Sequence, residues 1–176
     1  MEGTGRDRLH IAVIGAARAP EAQYSDAVRI GRRLAEAGAV VVCGGLGGVM
    51  EAACRGAKEA GGTTVGILPG NDRSEANDFV DVAIATGIGE ARNVSVVATA
   101  DAVLAVGGEF GTLSEIALAL KAGTPVIGLD SWELGRAGRA VDAVEAASDA
   151  DEAAAMALER GASHLAARLA KRPGYA

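Results

Sequence analysis

The sequence predicts an α/β domain of doubly wound, Rossmann-like type: a mostly parallel sheet of six to seven strands with helices on both faces. Three observations predict it. Apolar runs of strand length alternate with stretches of helical periodicity along the chain, the pattern of successive βαβ units. The core comes from Ala, Val, Ile and Leu, because 49% of residues are hydrophobic but only 3% aromatic, which suits a sheet buried on both faces. Glycine supplies 25 of 176 residues, about twice its usual ~7% share, and it clusters where strands run into helices. The length fits one nucleotide-binding Rossmann-like domain spanning residues 1–176, and there is neither an internal repeat nor an interdomain linker.

The elements follow in order. Leu9 to Ile14, stopped by Gly15, reads as a buried strand. Pro20 suits the first turn of a helix, whose face carries Ala27, Ile30, Leu34 and Ala37, with Gly38 just past its end. Ala39 to Cys43 is the second strand. It runs into Gly44-Gly45-Leu46-Gly47-Gly48 and a helix with Val49, Met50, Ala53 and Ala57 inward, stopped by Gly61-Gly62. Thr63 to Leu68 is the third strand. Asn71 to Phe79 is a polar, exposed loop whose Asp72, Arg73, Glu75 and Asp78 are either a lid or simply solvated.

Val82 to Ala85 is a short fourth strand, Glu90 to Thr99 a helix, and Asp101 to Val106 a fifth strand ending in Gly107-Gly108. Gly111 to Lys121 is a helix closed by Gly123, and Pro125 to Leu129 a sixth strand. Trp132 to Ala140 reads as a loop and Ala143 to Ala147 as an edge strand. Asp149-x-x-Glu152 has the spacing of a capping box opening a last helix, from Asp151 to about Leu169.

Composition excludes several classes. A net charge of -6 argues against nucleic acid as a partner, since that binding rests on basic surface. A small anion remains compatible, because a helix N-terminus binds one locally. Cys43 and Cys54 form no CxxC motif and have no His/Cys neighbours, so they read as buried free thiols, and no metal site is expected. Met1 to Arg8 is polar, unlike a signal peptide, and no apolar run approaches the ~18 residues of a membrane helix. A reducing cytoplasm and no membrane partner are the expectation.

Ligands of open parallel sheets bind beyond the carboxyl ends of the strands, and both glycine clusters fall there. In Gly44 to Gly48, glycine admits positive φ and close ligand approach, and the helix that follows offers free N–H groups. The pattern is neither a Walker A loop nor a clean GxGxxG, so a tight turn with close helix–strand packing explains it equally. Gly107-Gly108-Glu109-Phe110-Gly111-Thr112-Leu113-Ser114-Glu115 repeats the architecture. Thr112-x-x-Glu115 has capping-box spacing, and the alternative for Glu115 is a carboxylate beside the ligand's sugar. Arg92, early in its helix, opposes the helix dipole, an effect of about 0.3–1 kcal/mol in the wrong direction, which favours a functional reason for it. Asn93 beside it could cap or hydrogen-bond, and Arg18 could reach a phosphate. His10 and His164 have no partner by sequence.

Three segments taken together resemble the LOG ("lonely guy") superfamily, long called lysine decarboxylase-like and distantly similar to DprA/Smf proteins. They are Gly44-Gly45-Leu46-Gly47-Gly48-Val49-Met50-Glu51-Ala52, then Gly89-Glu90-Ala91-Arg92-Asn93, then Gly107 to Glu115. The likeness runs from about Ile11 to Leu129. It implies a Rossmann-like fold, a homodimer or higher homo-oligomer, and phosphoribohydrolase chemistry, cleavage of the N-glycosidic bond of nucleoside 5′-monophosphates. It also implies Arg92 and Glu115 as the catalytic pair. The residues it assigns to the phosphate or nucleotide are Gly44, Gly45, Gly47, Gly48, Met50, Asn93, Gly107, Gly108, Phe110, Gly111 and Thr112.

The family motif is PGGxGTxxE, preceded by an Arg-Lys pair. Here Gly107 replaces its Pro, Glu109 its second Gly, and Asn93 the Lys. This variant resembles the branch holding the molybdenum cofactor carrier proteins, which bind a phosphorylated pterin. No pyridoxal-binding lysine motif supports a decarboxylase. Two expectations follow: a LOG-type phosphoribohydrolase that needs no cofactor, or a non-catalytic carrier or sensor whose ligand is molybdenum cofactor, a nucleoside monophosphate or phosphate.

Overall fold

A computed structural model describes residues 8–171; the segment 1–7, read above as unlike a signal peptide, lies outside it. The elements are β1 (His10–Gly15), α1 (Glu21–Glu36), β2 (Val40–Cys43), α2 (Val49–Glu59), β3 (Thr63–Leu68), β4 (Val82–Ala85), α3 (Asn93–Thr99), β5 (Ala102–Val106), α4 (Phe110–Ala122), β6 (Val126–Leu129), β7 (Leu134–Arg136), β8 (Arg139–Val141), β9 (Glu145–Ala146) and α5 (Ala150–Ala170). Seven strands form one parallel sheet in the order β4-β3-β2-β1-β5-β6-β9, and β7–β8 is a separate antiparallel hairpin. The chain is therefore Rossmann-like, as expected. Strand order reverses between β1 and β5, opening a crevice at their carboxyl ends.

Alternation along the central strands builds the two faces. Ile11 and Val13 of β1, with Leu104 and Val106 of β5, meet α1, α2 and α5 through Ile30, Leu34, Ala53 and Ala154. The intervening Ala12, Ile14, Val103 and Ala105 meet α3 and α4 through Val96, Val97, Ile116 and Ala119. With so few aromatics, the helices come close. A Cβ on Gly56 of α2 would lie 1.8 Å from the Val28 carbonyl oxygen of α1, and one on Gly31 would lie 2.0 Å from that of Ala53.

Several local expectations shift. The first helix starts at Glu21 with Pro20 as its N-cap, rather than holding Pro20 inside its first turn. Residues 132–140 form most of the β7–β8 hairpin instead of a loop, and the edge strand shrinks to two residues. The segment 71–79 is exposed but pinned: Asn77 donates from its backbone to Gly45 O and from its side chain to Leu46 O. At α5 Asp149 accepts from Glu152 N at 2.9 Å, as a capping box requires, while the Glu152 carboxylate reaches Ser148 N one residue early. Among the described residues no helix is long and apolar enough to cross a membrane.

Candidate functional site

The two glycine turns stand at the carboxyl ends of β2 and β5, the strands on either side of β1. At the first, Gly48 is the N-cap of α2, and Val49 N–H donates to Ala16 O at 3.1 Å, which ties this turn to the loop after β1. Gly45 carries its carbonyl toward Asn77, and Gly47 lies beside Ala17. Gly44 has no room for a side chain, since a Cβ there would lie 2.6 Å from Arg92 Nη2 and 2.7 Å from Met50 Sδ. Behind it the thiols of Cys43 and Cys54 are free, buried and 3.4 Å apart. The hydrogen bond between them holds Cys43 below the usual thiol range and, with burial, pushes Cys54 well above it.

At the second turn, β5 runs into Gly107 and Gly108, with φ of 54° and 111°. The Gly108 value is open to glycine but not to a β-carbon residue, and a Cβ there would strike Thr112 at 2.5 Å. Helix α4 starts at Phe110 with Glu109 as N-cap, and no side chain caps it. The Thr112–Glu115 capping box is thereby excluded: Thr112 lies inside the first turn and Glu115 one turn further on, both buried. The first N–H groups of α4 are left without a capping side chain, next to a glycine that lets a ligand approach. Glu109 is exposed.

Arg92 ends a 3₁₀ turn (Gly89–Arg92), directly before α3, so the predicted helix from Glu90 begins as a tighter turn. The residue is 5% exposed and Glu115 is 7% exposed. Their closest approach is 3.8 Å, from Nη1 to Oε1, an ion pair without a hydrogen bond. Nη1 donates instead to Asn93 Oδ1, and the Asn93 amide donates to Ser114 Oγ at 3.4 Å. Arg92 Nε is buried with no partner. Burial pushes the Glu115 carboxyl up to about 7; Arg92 opposes this and Glu90 adds to it. A buried cation with an unused donor and a carboxyl raised toward neutrality thus stand side by side behind Gly44. Unpartnered buried donors and shifted acids concentrate where ligands bind.

The structure thus brings Arg92, Asn93, Glu115, Gly44 and Met50 into one cluster, one helical turn below the Gly107–Thr112 cradle. Phe110 stands apart. It is 80% exposed and leans on Trp132, ring centroids 5.7 Å apart. Gly111 faces open space, and Arg18 is exposed in the loop after β1. Among the described residues no group of His, Cys, Asp and Glu is placed to hold a metal ion. A groove of about 700 Å³ on the opposite side, along α1 and α2, is lined by Arg29, Arg32, Arg33 and Arg55. Those arginines are spent on Asp151, Glu36 and Glu59, so the groove is a solvated ionic lattice. Sequence reasoning missed Gln23 and Ser131, which reach Gly107 from α1 and from the loop after β6; neither sits in a motif.

Comparison with known proteins agrees with this architecture. The model of the SLOG cluster4 family matches residues 8–163. An uncharacterized protein of Archaeoglobus fulgidus is 51% identical over 121 residues, 69% of this chain and 80% of that one. The molybdenum cofactor binding protein of Rippkaea orientalis superposes with a TM-score of 0.77 at 36% identity, over 86% of this chain and 96% of its own. The molybdenum cofactor carrier protein of Chlamydomonas reinhardtii gives 0.77 at 36%, over 87% and 98%. DNA processing protein A of Helicobacter pylori, described for its single-stranded DNA binding mode, shares the fold at 21% identity, with a TM-score of 0.66 over 89% and 85%. The chain belongs to the SLOG cluster4 family.

Proposed function

We propose that this protein binds a small phosphorylated ligand of the molybdenum-cofactor type, a phosphorylated pterin, as a carrier. The uncapped N-terminus of α4 behind Gly107-Gly108 carries this reading. Free N–H groups and the positive end of the helix dipole match a phosphate dianion. Arg92, with its unused Nε, would supply a second charge-assisted contact. The exposed Glu109 keeps an acidic neighbour at the cradle's mouth, a departure from the hydrolase motif shared with the carrier branch. Likeness to two proteins described as binding or carrying molybdenum cofactor supports the same reading. Native mass spectrometry of the purified protein tests it: a bound pterin phosphate or its oxidation product is expected. A nucleoside monophosphate in its place would overturn the carrier reading.

One observation favours a second reading, hydrolysis of a nucleoside 5′-monophosphate. Glu115 titrates near 7 beside a buried arginine. As a carboxylate it would stabilise an oxocarbenium-like ribosyl centre and position the attacking water, as carboxylates do in glycoside hydrolysis. Release of free base from AMP, GMP or another nucleoside monophosphate is the discriminating assay.

The protein is further proposed to be a cytoplasmic homodimer. Ile88, Val94 and Phe110 are large apolar side chains left exposed. Helix α2, by contrast, turns its apolar side chains inward and offers little apolar surface to a partner. Light scattering should give twice the monomer mass, and a monomer at micromolar concentration refutes the dimer.

A further inference from the structure

The turn that opens the cradle is closed from the other side by a residue outside every motif. Gly107 has φ of 54°, which proline, locked near −65°, cannot adopt. A Cβ at this position would lie 2.3–2.4 Å from Nε2, Cδ and Oε1 of Gln23. The carboxamide therefore rests directly on the Gly107 backbone, in space that any side chain at 107 would occupy. Gln23 lies in the first turn of α1 (Glu21–Glu36) and is half-buried. It spans the crevice between the carboxyl ends of β1 and β5, where strand order reverses.

The hydrogen bonds at the turn come from elsewhere: Gly107 N–H donates to Leu129 O at 2.9 Å, and Ser131 Oγ donates to Gly107 O at 2.7 Å. Among the described residues this leaves the Gln23 amide with donors and acceptor free. An amide carries two N–H donors, and these stand against Gly107, two residues before the N-cap Glu109 of the uncapped helix.

We infer that Gln23 is a ligand-binding residue that donates from Nε2 to the phosphate held at the Gly107–Thr112 turn. The inference rests on the phosphate reading above and adds to it a contact from α1. Gly107 is the residue that makes room for this contact. The cradle is thus two-sided, with backbone N–H groups of α4 on one side and a neutral side-chain donor on the other.

Gln23→Glu and Gln23→Met separate recognition from packing. Glu keeps the shape, and an acidic residue in a first helical turn is favoured by the dipole, so the fold should melt no lower than wild type. Its charge opposes a phosphate directly. Met keeps the bulk and removes the donor. Titration calorimetry with inorganic phosphate, AMP and GMP is expected to show more than about 10-fold weaker binding for Gln23→Glu and about 3- to 10-fold for Gln23→Met, at unchanged Tm. Wild-type affinity in both variants overturns the role of Gln23 while leaving the phosphate site standing. A wild type that binds none of the three probes overturns the phosphate reading and the inference with it.

Discussion

Replacing Glu115 by Gln should stabilise the protein at neutral and alkaline pH. The carboxyl sits 7% exposed on α4, and burial raises its pKa from 4.5 to about 7 despite Arg92. Between those two pH values the folded state keeps a proton that the unfolded chain releases. Stability therefore falls as pH rises through the window and levels off above it. At about 1.4 kcal/mol per pH unit, the interval between 4.5 and about 7 amounts to about 3 kcal/mol.

Gln mimics the neutral acid in shape, so the variant escapes this loss. Urea denaturation of both proteins at pH 4.5 and above pH 7 isolates the effect, because titrating groups not coupled to Glu115 cancel in the difference. Near-equal stability at the lower pH is expected, with the variant ahead by about 3 kcal/mol at the higher, about 2–4 °C in Tm per kcal/mol. Parallel pH profiles would refute the buried-acid account. A variant that melts lower at every pH would restore Glu115 to a structural role.

Other expectations follow from the same packing. Arg92→Met keeps the volume against Gly44 and Met50 but removes the buried cation; phosphate and nucleotide binding should weaken at least about 10-fold by calorimetry. If base release is detected, Glu115→Gln should cut its rate by about 10²–10³ while binding survives. Gly56→Ala places a Cβ 1.8 Å from the Val28 carbonyl and should cost at least about 1–3 kcal/mol in urea denaturation. Asp101→Ala strands His10 N–H and Arg168, both bonded to this buried carboxylate, and should cost about 1–3 kcal/mol; a change below the error of the method would contradict the bonding.

How much of this was legible depended on the range of the interaction. Strand and helix identity followed from apolar periodicity, so β1, β2, β3, β5 and β6 and the two faces of the sheet could be read directly. Both glycine clusters announced their turns because backbone permissiveness is a property of the residue itself. Spacing also located Asp149 as a cap correctly.

The same spacing misread Thr112 and Glu115, since a three-residue interval recurs inside any helix. Helix α4 begins at Phe110, directly after the positive-φ turn at Gly107 and Gly108, so the interval does not mark its start. Order within the sheet, the closeness of α1 to α2, and the β7–β8 hairpin each depend on contacts far apart in sequence. So do the environment of Glu115 and the placement of Gln23 over Gly107. A carboxylate in the chain has an ordinary pKa; this one rises only when the packed layers bury it and exclude water, against the pull of Arg92. Sequence alone therefore determined which residue types stood at the strand ends. Tertiary structure decided which of them face one another, because desolvation and close approach exist only once the layers have packed.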